Sequence, residues 1–118
     1  MPVTIYGIKN CETMKKARAW LDRRGVDYVF HDYKTAGIAR ERLQRWEKKV
    51  GWERLLNRAG TTFRKLADKE KNDLNAKKAV ALMLAQPSMI KRPVLELGGD
   101  KLLVGFAPDV YAQTLSRA

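Results

Sequence analysis

The apolar positions Val3 and Ile5, flanked by Thr4 and Tyr6, form a β-branched and aromatic run ending at Gly7, which predicts a short first strand. Ile8, Lys9 and Asn10 then read as a turn. From Cys11 to about Arg24 the period changes. Met14, Ala17 and Leu21, with Trp20 beside them, recur at three and four residues, and Gly25 supplies a stop. This predicts an amphipathic helix with basic outer positions. Tyr28, Val29 and Phe30 predict a second strand, so the chain opens as a β-α-β unit. Its strands are expected to run parallel through a right-handed crossover.

The middle of the chain is helical in pattern. Residues 39–56 carry Leu43, Trp46, Val50 and Leu55 at helical spacing with an interruption at Gly51. Residues 72–85 predict a further helical region ending near Pro87, and Asn57 to Thr62 a loop between the two. Pro93 to Leu97 and Lys101 to Val104 are two apolar runs separated by Gly98, Gly99 and Asp100, which predicts a β-hairpin. After Gly105 and Phe106, Pro108 suits the first turn of a last helix. The order is β-α-β, a helical insertion at about 37–90, then β-β-α.

A chain of 118 residues with 45% hydrophobic residues and three tryptophans predicts one globular domain with a real core. Its N-terminus lacks the charged-then-apolar layout of a signal peptide, and no apolar run approaches the roughly 20 residues that span a bilayer. A soluble cytoplasmic protein with no membrane partner is the expectation. One cysteine and one histidine, His31, exclude an internal disulfide framework and a cysteine-built zinc site, so no metal is expected and thiol chemistry must use an outside partner.

The formal charge of +11 favours an anionic partner: nucleic acid, an acidic protein or a small anion. Lys15, Lys16, Arg18, Arg23 and Arg24 in one helix, and Arg40, Arg42, Arg45, Lys48 and Lys49 in another, are the case for nucleic acid. The case is weak, because these residues are spread over several helices without a recognition motif. Trp20, Trp46 and Trp52 occupy apolar positions of helical patterns and read as packing residues. Met83 and Met89 read as fillers, and His31 as a solvated or hydrogen-bonded residue at a strand end.

The element order is thioredoxin-like, with a mixed four-stranded sheet, and that fold keeps its nucleophile at the first strand-to-helix turn. Cys11 stands there. A helix N-terminus presents free N–H groups and roughly half a positive charge, which favours thiolate over thiol. A free cysteine is also commonly a small buried hydrophobe, and on position alone the two readings stand level. Asn10 either donates a hydrogen bond to the thiol or shapes the turn. Lys9 and Lys15 either add positive potential or simply face solvent.

Tyr6-Gly-Ile-Lys-Asn-Cys-Glu-Thr-Met-Lys-Lys-Ala17, with Ser88-Met-Ile-Lys-Arg-Pro-Val94 and Leu103-Val-Gly-Phe106, resembles the arsenate reductase (ArsC) and Spx family, most closely its YffB branch. The resemblance runs over nearly the whole chain. It implies that Cys11 is the nucleophile, and that Arg92 precedes a cis-proline, Pro93. It further implies that Val94 offers its backbone to a substrate beside that proline. Arginine at the thiol would lower its pKa and offer a two-pronged fork to a carboxylate or oxyanion. Arg58 is implied as a second such arginine, although an ungapped match puts Asn57 on the family position and Arg58 one beyond.

Two departures bear on the reaction. Val104-Gly-Phe106 stands where the arsenate reductases carry a third anion-binding arginine, which disfavours arsenate. Met14 stands where the dithiol Spx motif has its second cysteine, which excludes an internal disulfide switch. The resemblance therefore implies a glutathione-dependent monothiol reductase. Cys11, Asn10 and Arg92 would be its catalytic residues, and Lys9, Arg58, Arg92, Pro93 and Val94 its substrate-binding residues. Its partners would be glutathione as cosubstrate and an oxidised thiol. The alternative is an Spx-like protein that binds a transcription complex, without enzymatic activity.

Overall fold

The computed structural model of the chain describes residues 3–98 and 101–115. In chain order its elements begin with β1 (Thr4–Gly7), α1 (Glu12–Arg23), β2 (Val29–Asp32), α2 (Tyr33–Ala36) and α3 (Arg40–Val50). Next come α4 (Trp52–Leu55), α5 (Thr61–Arg64), α6 (Asp68–Lys71), α7 (Ala76–Ala85) and a 3-10 turn at Pro87–Met89. The chain closes with β3 (Val94–Glu96), β4 (Leu102–Val104) and α8 (Pro108–Leu115). Tyr33–Lys91 folds as one compact unit, and the segments on either side of it, up to Asp32 and from Arg92, fold together as another.

The outer segments build a four-stranded sheet in the order β2-β1-β3-β4. β1 runs parallel to β2 and antiparallel to β3, and β3 pairs antiparallel with β4. The fold is thioredoxin-like. Side chains alternate across a sheet, so the register sets two rows. Phe30, Ile5, Leu95 and Leu103 align in one row and join Met14, Ala17, Trp20 and Leu21 of α1 and Tyr111 of α8 in a single apolar cluster. Complete burial of a side chain such as Ile5 or Leu95 contributes about 1.5–3 kcal/mol, which is why the 3-to-4 spacing in α1 dictates which face it turns inward.

Tyr111 packs edge-on against Trp20 and Phe106, with ring centroids 5.6 and 4.9 Å away. In the other row Tyr6 aligns with His31 and Val94. Its ring lies 4.9 Å from that of His31, and its hydroxyl donates to Glu96 Oε1 at 3.0 Å.

Gly7, the last residue of β1, lies against Met14 of α1. A β-carbon there would overlap Met14 Sδ and lie 2.8 Å from Met14 Cε. Met14 is fully buried, so its thioether has little room to retreat. Gly7→Ala is therefore expected to destabilise the protein by about 1–3 kcal/mol, as overpacked cores do. Chemical denaturation measures it, and an unchanged midpoint would show that Met14 repacks freely.

In the Tyr33–Lys91 unit, α3 turns Leu43 and Trp46 inward and packs against α4 and α7. Gly51, at φ +87°, breaks the helical run into α3 and α4, a backbone conformation that favours glycine. Leu55 and Leu56 are buried, and the chain after them pairs with the end of the unit. Asn57 N–H donates to Met89 O at 2.7 Å and Lys91 N–H to Leu55 O at 2.8 Å.

Several boundaries differ from the sequence pattern. α7 starts at Ala76 rather than near 72, because Asn75 Oδ1 accepts from Lys78 N–H at 2.9 Å and caps the helix there. α5 begins inside the expected loop, and α2 and α6 are single turns, too short to show a helical period. β2 is displaced toward His31 and Asp32, since its length follows the pairing with β1 rather than its own apolar run. Gly99 and Asp100, expected in the hairpin turn, lie outside the described residues.

Candidate active site

The thiol is placed by the exit from β1. After Gly7, Ile8 is buried and anchors the chain, while Lys9 and Asn10 bend across the surface, both exposed. Cys11 is extended, at φ −142° and ψ 127°, and occupies the N-cap of α1. Its carbonyl accepts the first helical bond from Lys15 N–H at 2.9 Å. A residue at that position points its side chain toward the unsatisfied N–H groups of the first turn. The Cys11 thiol makes no formed cap hydrogen bond, yet Met14 N–H and Thr13 N–H face it closely enough to favour a negative sulfur.

Arg92 approaches the same sulfur from the start of the second outer segment. Partial burial raises the thiol's pKa. Against it act the Met14 N–H, the Arg92 guanidinium by hydrogen bond and by charge, and the Thr13 N–H, which together hold the pKa below the ordinary thiol value. Cys11 is half-buried and packs against the apolar cluster. Its alkylation rate is expected to rise with pH through a midpoint below the roughly 8.5 of a free thiol and to level off above it. Iodoacetamide kinetics across pH measure that midpoint, and a value at or above the free-thiol one would remove the case for an activated sulfur.

The Arg92–Pro93 peptide bond is cis, and Pro93 is buried. Gly105 N–H donates to Pro93 O at 2.8 Å, and Val94 pairs with Val104 on one side and Tyr6 on the other. In an antiparallel ladder that bond makes Val94 and Val104 a pair without mutual hydrogen bonds, so the N–H and C=O of Val94 turn toward Tyr6 in β1. The expectation that Val94 presents its backbone to a substrate is thereby corrected. Its polar groups belong to the sheet, and its side chain is fully buried.

The other expected residues are placed as follows. Lys9 and Asn10 are exposed beside the thiol in sequence, and Asn10 makes no side-chain hydrogen bond among the described residues. Arg58 belongs to the Tyr33–Lys91 unit, where its guanidinium carbon lies 5.6 Å from the Trp52 ring centroid. Lys15 forms an exposed contact with Glu12 at 3.6 Å, of the kind that contributes little to stability. Met14, the residue at the second-cysteine position, is in the core. The backbone donors of Thr13 and Met14 are the free N–H groups expected at the start of the helix. Among the described residues no cluster of three or more His, Cys, Asp or Glu side chains could hold a metal ion, and no helix is long and apolar enough to cross a membrane.

A thiol at this turn beside an arginine–cis-proline pair is the arrangement on which family membership can be tested. The sequence profile of the ArsC family matches residues 6–114. The chain belongs to the ArsC family. Within that family, a solved structure described as the YffB protein is 65% identical and superposes with a TM-score of 0.93, over 96% of this chain and 98% of that one. An arsenate reductase (ArsC) related protein from Brucella melitensis is 60% identical with a TM-score of 0.77, over 98% and 95% of the two chains. The global transcriptional regulator Spx of Streptococcus mutans is 27% identical over 117 residues, which cover 98% of this chain and 84% of the regulator. ArsC-family relatives of this chain thus carry both reductase and regulator names.

Proposed function

We propose that this ArsC-family protein is a glutathione-dependent monothiol reductase, a single thioredoxin-like domain with Tyr33–Lys91 as its helical insertion. The observation that carries the reading is the Cys11 sulfur, half-buried at the N-terminus of α1 with the Arg92 guanidinium against it. The Cys11 thiolate attacks the glutathione sulfur of a mixed disulfide. A Cys11–glutathione disulfide forms, and the substrate leaves as a thiolate that takes a proton from water. The thiolate of a second glutathione then attacks the glutathione sulfur of that adduct. Oxidised glutathione departs, and the Cys11 thiolate is restored.

Arg92 stabilises the thiolate in both steps and offers a fork to a glutathione carboxylate. Lys9 and Asn10 are proposed as further contacts around the glutathione moiety, and Pro93 as an apolar wall beside it. The step needs no second cysteine, in keeping with Met14 at that position. It requires a compartment rich in reduced glutathione, so the cytoplasm is its proposed location.

Mass spectrometry after incubation with oxidised glutathione tests the reading. Cys11 is expected to gain one glutathionyl group and to lose it to reduced glutathione. A thiol that stays unmodified, or an adduct that reduced glutathione does not remove, would overturn it.

Arsenate is expected to be a poor substrate even with glutathione and glutaredoxin supplied. The segment Val104-Gly-Phe106 offers no cation for an oxyanion. A coupled reductase assay checks this, and efficient arsenate turnover would contradict it. The match to Spx over nearly the whole chain supports a second reading, a binding protein for a transcription complex. Recovery of RNA polymerase subunits on the immobilised protein, with no glutathione exchange at Cys11, would favour it.

A further inference from the structure

The chain's charge is unevenly divided. Residues 33–91 hold 15 lysines and arginines against 6 aspartates and glutamates, a net +9 of the chain's +11. The unit that carries Cys11 is left with +2. Nearly all of the 15 cationic side chains are exposed. On α3 the exposed residues Arg45, Lys48 and Lys49 stand at i, i+3 and i+4 and so share one outward stripe. α7, which packs against α3, adds exposed Lys77 and Lys78 at its first turn. Two lysines there oppose the helix dipole, although Lys78 Nζ also donates to Asp73 O at 3.1 Å.

We propose that the Tyr33–Lys91 unit is a docking face for acidic proteins, so that the preferred substrate is a glutathione mixed disulfide on an acidic protein rather than a small disulfide. The inference rests on the reductase reading for its chemistry and on charge complementarity for its partner. A free glutathione disulfide carries a few charges and needs one or two arginines. A net +9 on one unit acts instead on a large surface of opposite sign, within a screening length of about 8 Å at physiological salt. Such fields chiefly raise the rate of encounter and reject partners of like charge.

A protein fits this face better than nucleic acid. Trp46 and Phe63 are buried, and half-buried Trp52 has the Arg58 guanidinium carbon 5.6 Å from its ring centroid, so none of the three is a fully exposed stacking platform for bases. Glu41 and Glu53 are exposed among the cations of α3 and α4, where they would repel a phosphate backbone but can meet the scattered cations of a mixed protein surface.

The experiment compares kcat/KM on glutathionylated serum albumin, an acidic protein, with that on the mixed disulfide of glutathione and 2-mercaptoethanol. Raising salt from about 0.05 to about 0.5 M is expected to cost about tenfold on albumin and less than about twofold on the small disulfide. The combined substitution Arg45→Glu, Lys48→Glu and Lys49→Glu should reproduce that pattern at low salt, and the glutamine versions should give a smaller loss of the same kind. Equal effects on both substrates, or none on albumin, would overturn the proposal. If neither substrate turns over, the reductase reading fails and the docking face is judged by binding. Cys11→Ser protein should bind unmodified albumin in a salt-sensitive way that the triple glutamate variant abolishes. Absence of that binding, or tighter binding to a short DNA duplex, would refute the docking face.

Discussion

Cys11→Ser is expected to lower glutathione-linked turnover by at least about 10^4-fold, the scale on which enzymes lose activity when their nucleophile is removed. A serine hydroxyl stays protonated where the thiol ionises, and it cannot form the disulfide through which the reaction passes. The same substitution has an opposite effect on the fold. Cys11 holds the N-cap of α1 without a formed cap hydrogen bond, whereas serine is among the best residues for that position. Denaturation should therefore show the variant equally stable, or more stable by up to about 1 kcal/mol. Turnover within tenfold of the parent would remove Cys11 from the chemistry. A large loss of stability would make it a packing residue instead.

The position was legible because the element order places the one cysteine at the first strand-to-helix turn, although position alone left an activated thiol and a buried hydrophobe level. A cysteine is a poorer choice than serine, threonine or aspartate for capping a helix, so its presence at a strand-to-helix turn points to something other than helix stability. The fold was legible for the same kind of reason. Val3 and Ile5 stand in a β-branched and aromatic run, Met14, Ala17 and Leu21 recur at helical spacing, and two apolar runs flank a glycine turn, and each pattern reports a face that must be buried. Helices of one turn, such as α2 and α6, bury too little to leave a pattern.

The backbone part of the site was legible as a helix start offering free N–H groups to Cys11, but the direction of a strand's backbone was not. The N–H groups of Met14 and Thr13 lower the thiol pKa whatever residues carry them. The direction in which Val94 turns its backbone depends on the register of β3 against two other strands, and a single sequence does not state register. The Val94 expectation came from resemblance, which transfers residue positions but not hydrogen bonds. Charge was legible as a total of +11, but its concentration in residues 33–91 became meaningful only when those residues proved to be one unit.

Arg92 is where charge and shape make separate contributions, and one substitution series separates them. Its guanidinium acts on Cys11 both as a hydrogen-bond donor and as a charge. Lysine keeps the charge but not the planar fork, so Arg92→Lys should retain much of the low thiol pKa while weakening turnover. Arg92→Ala should lose both, and its alkylation midpoint should move up toward that of a free thiol. A charge-assisted hydrogen bond contributes about 1.5–3 kcal/mol, so alanine should lower kcat/KM roughly 10- to 150-fold if one such contact acts in the transition state. Raising the pH should restore part of the alanine variant's rate, since it refills the thiolate, but not the part due to lost grip on the substrate. Arg92 is half-buried and outside the apolar cluster, so the fold should survive. An unfolded alanine variant would make Arg92 structural. A folded one with normal turnover would move the anion site away from Pro93.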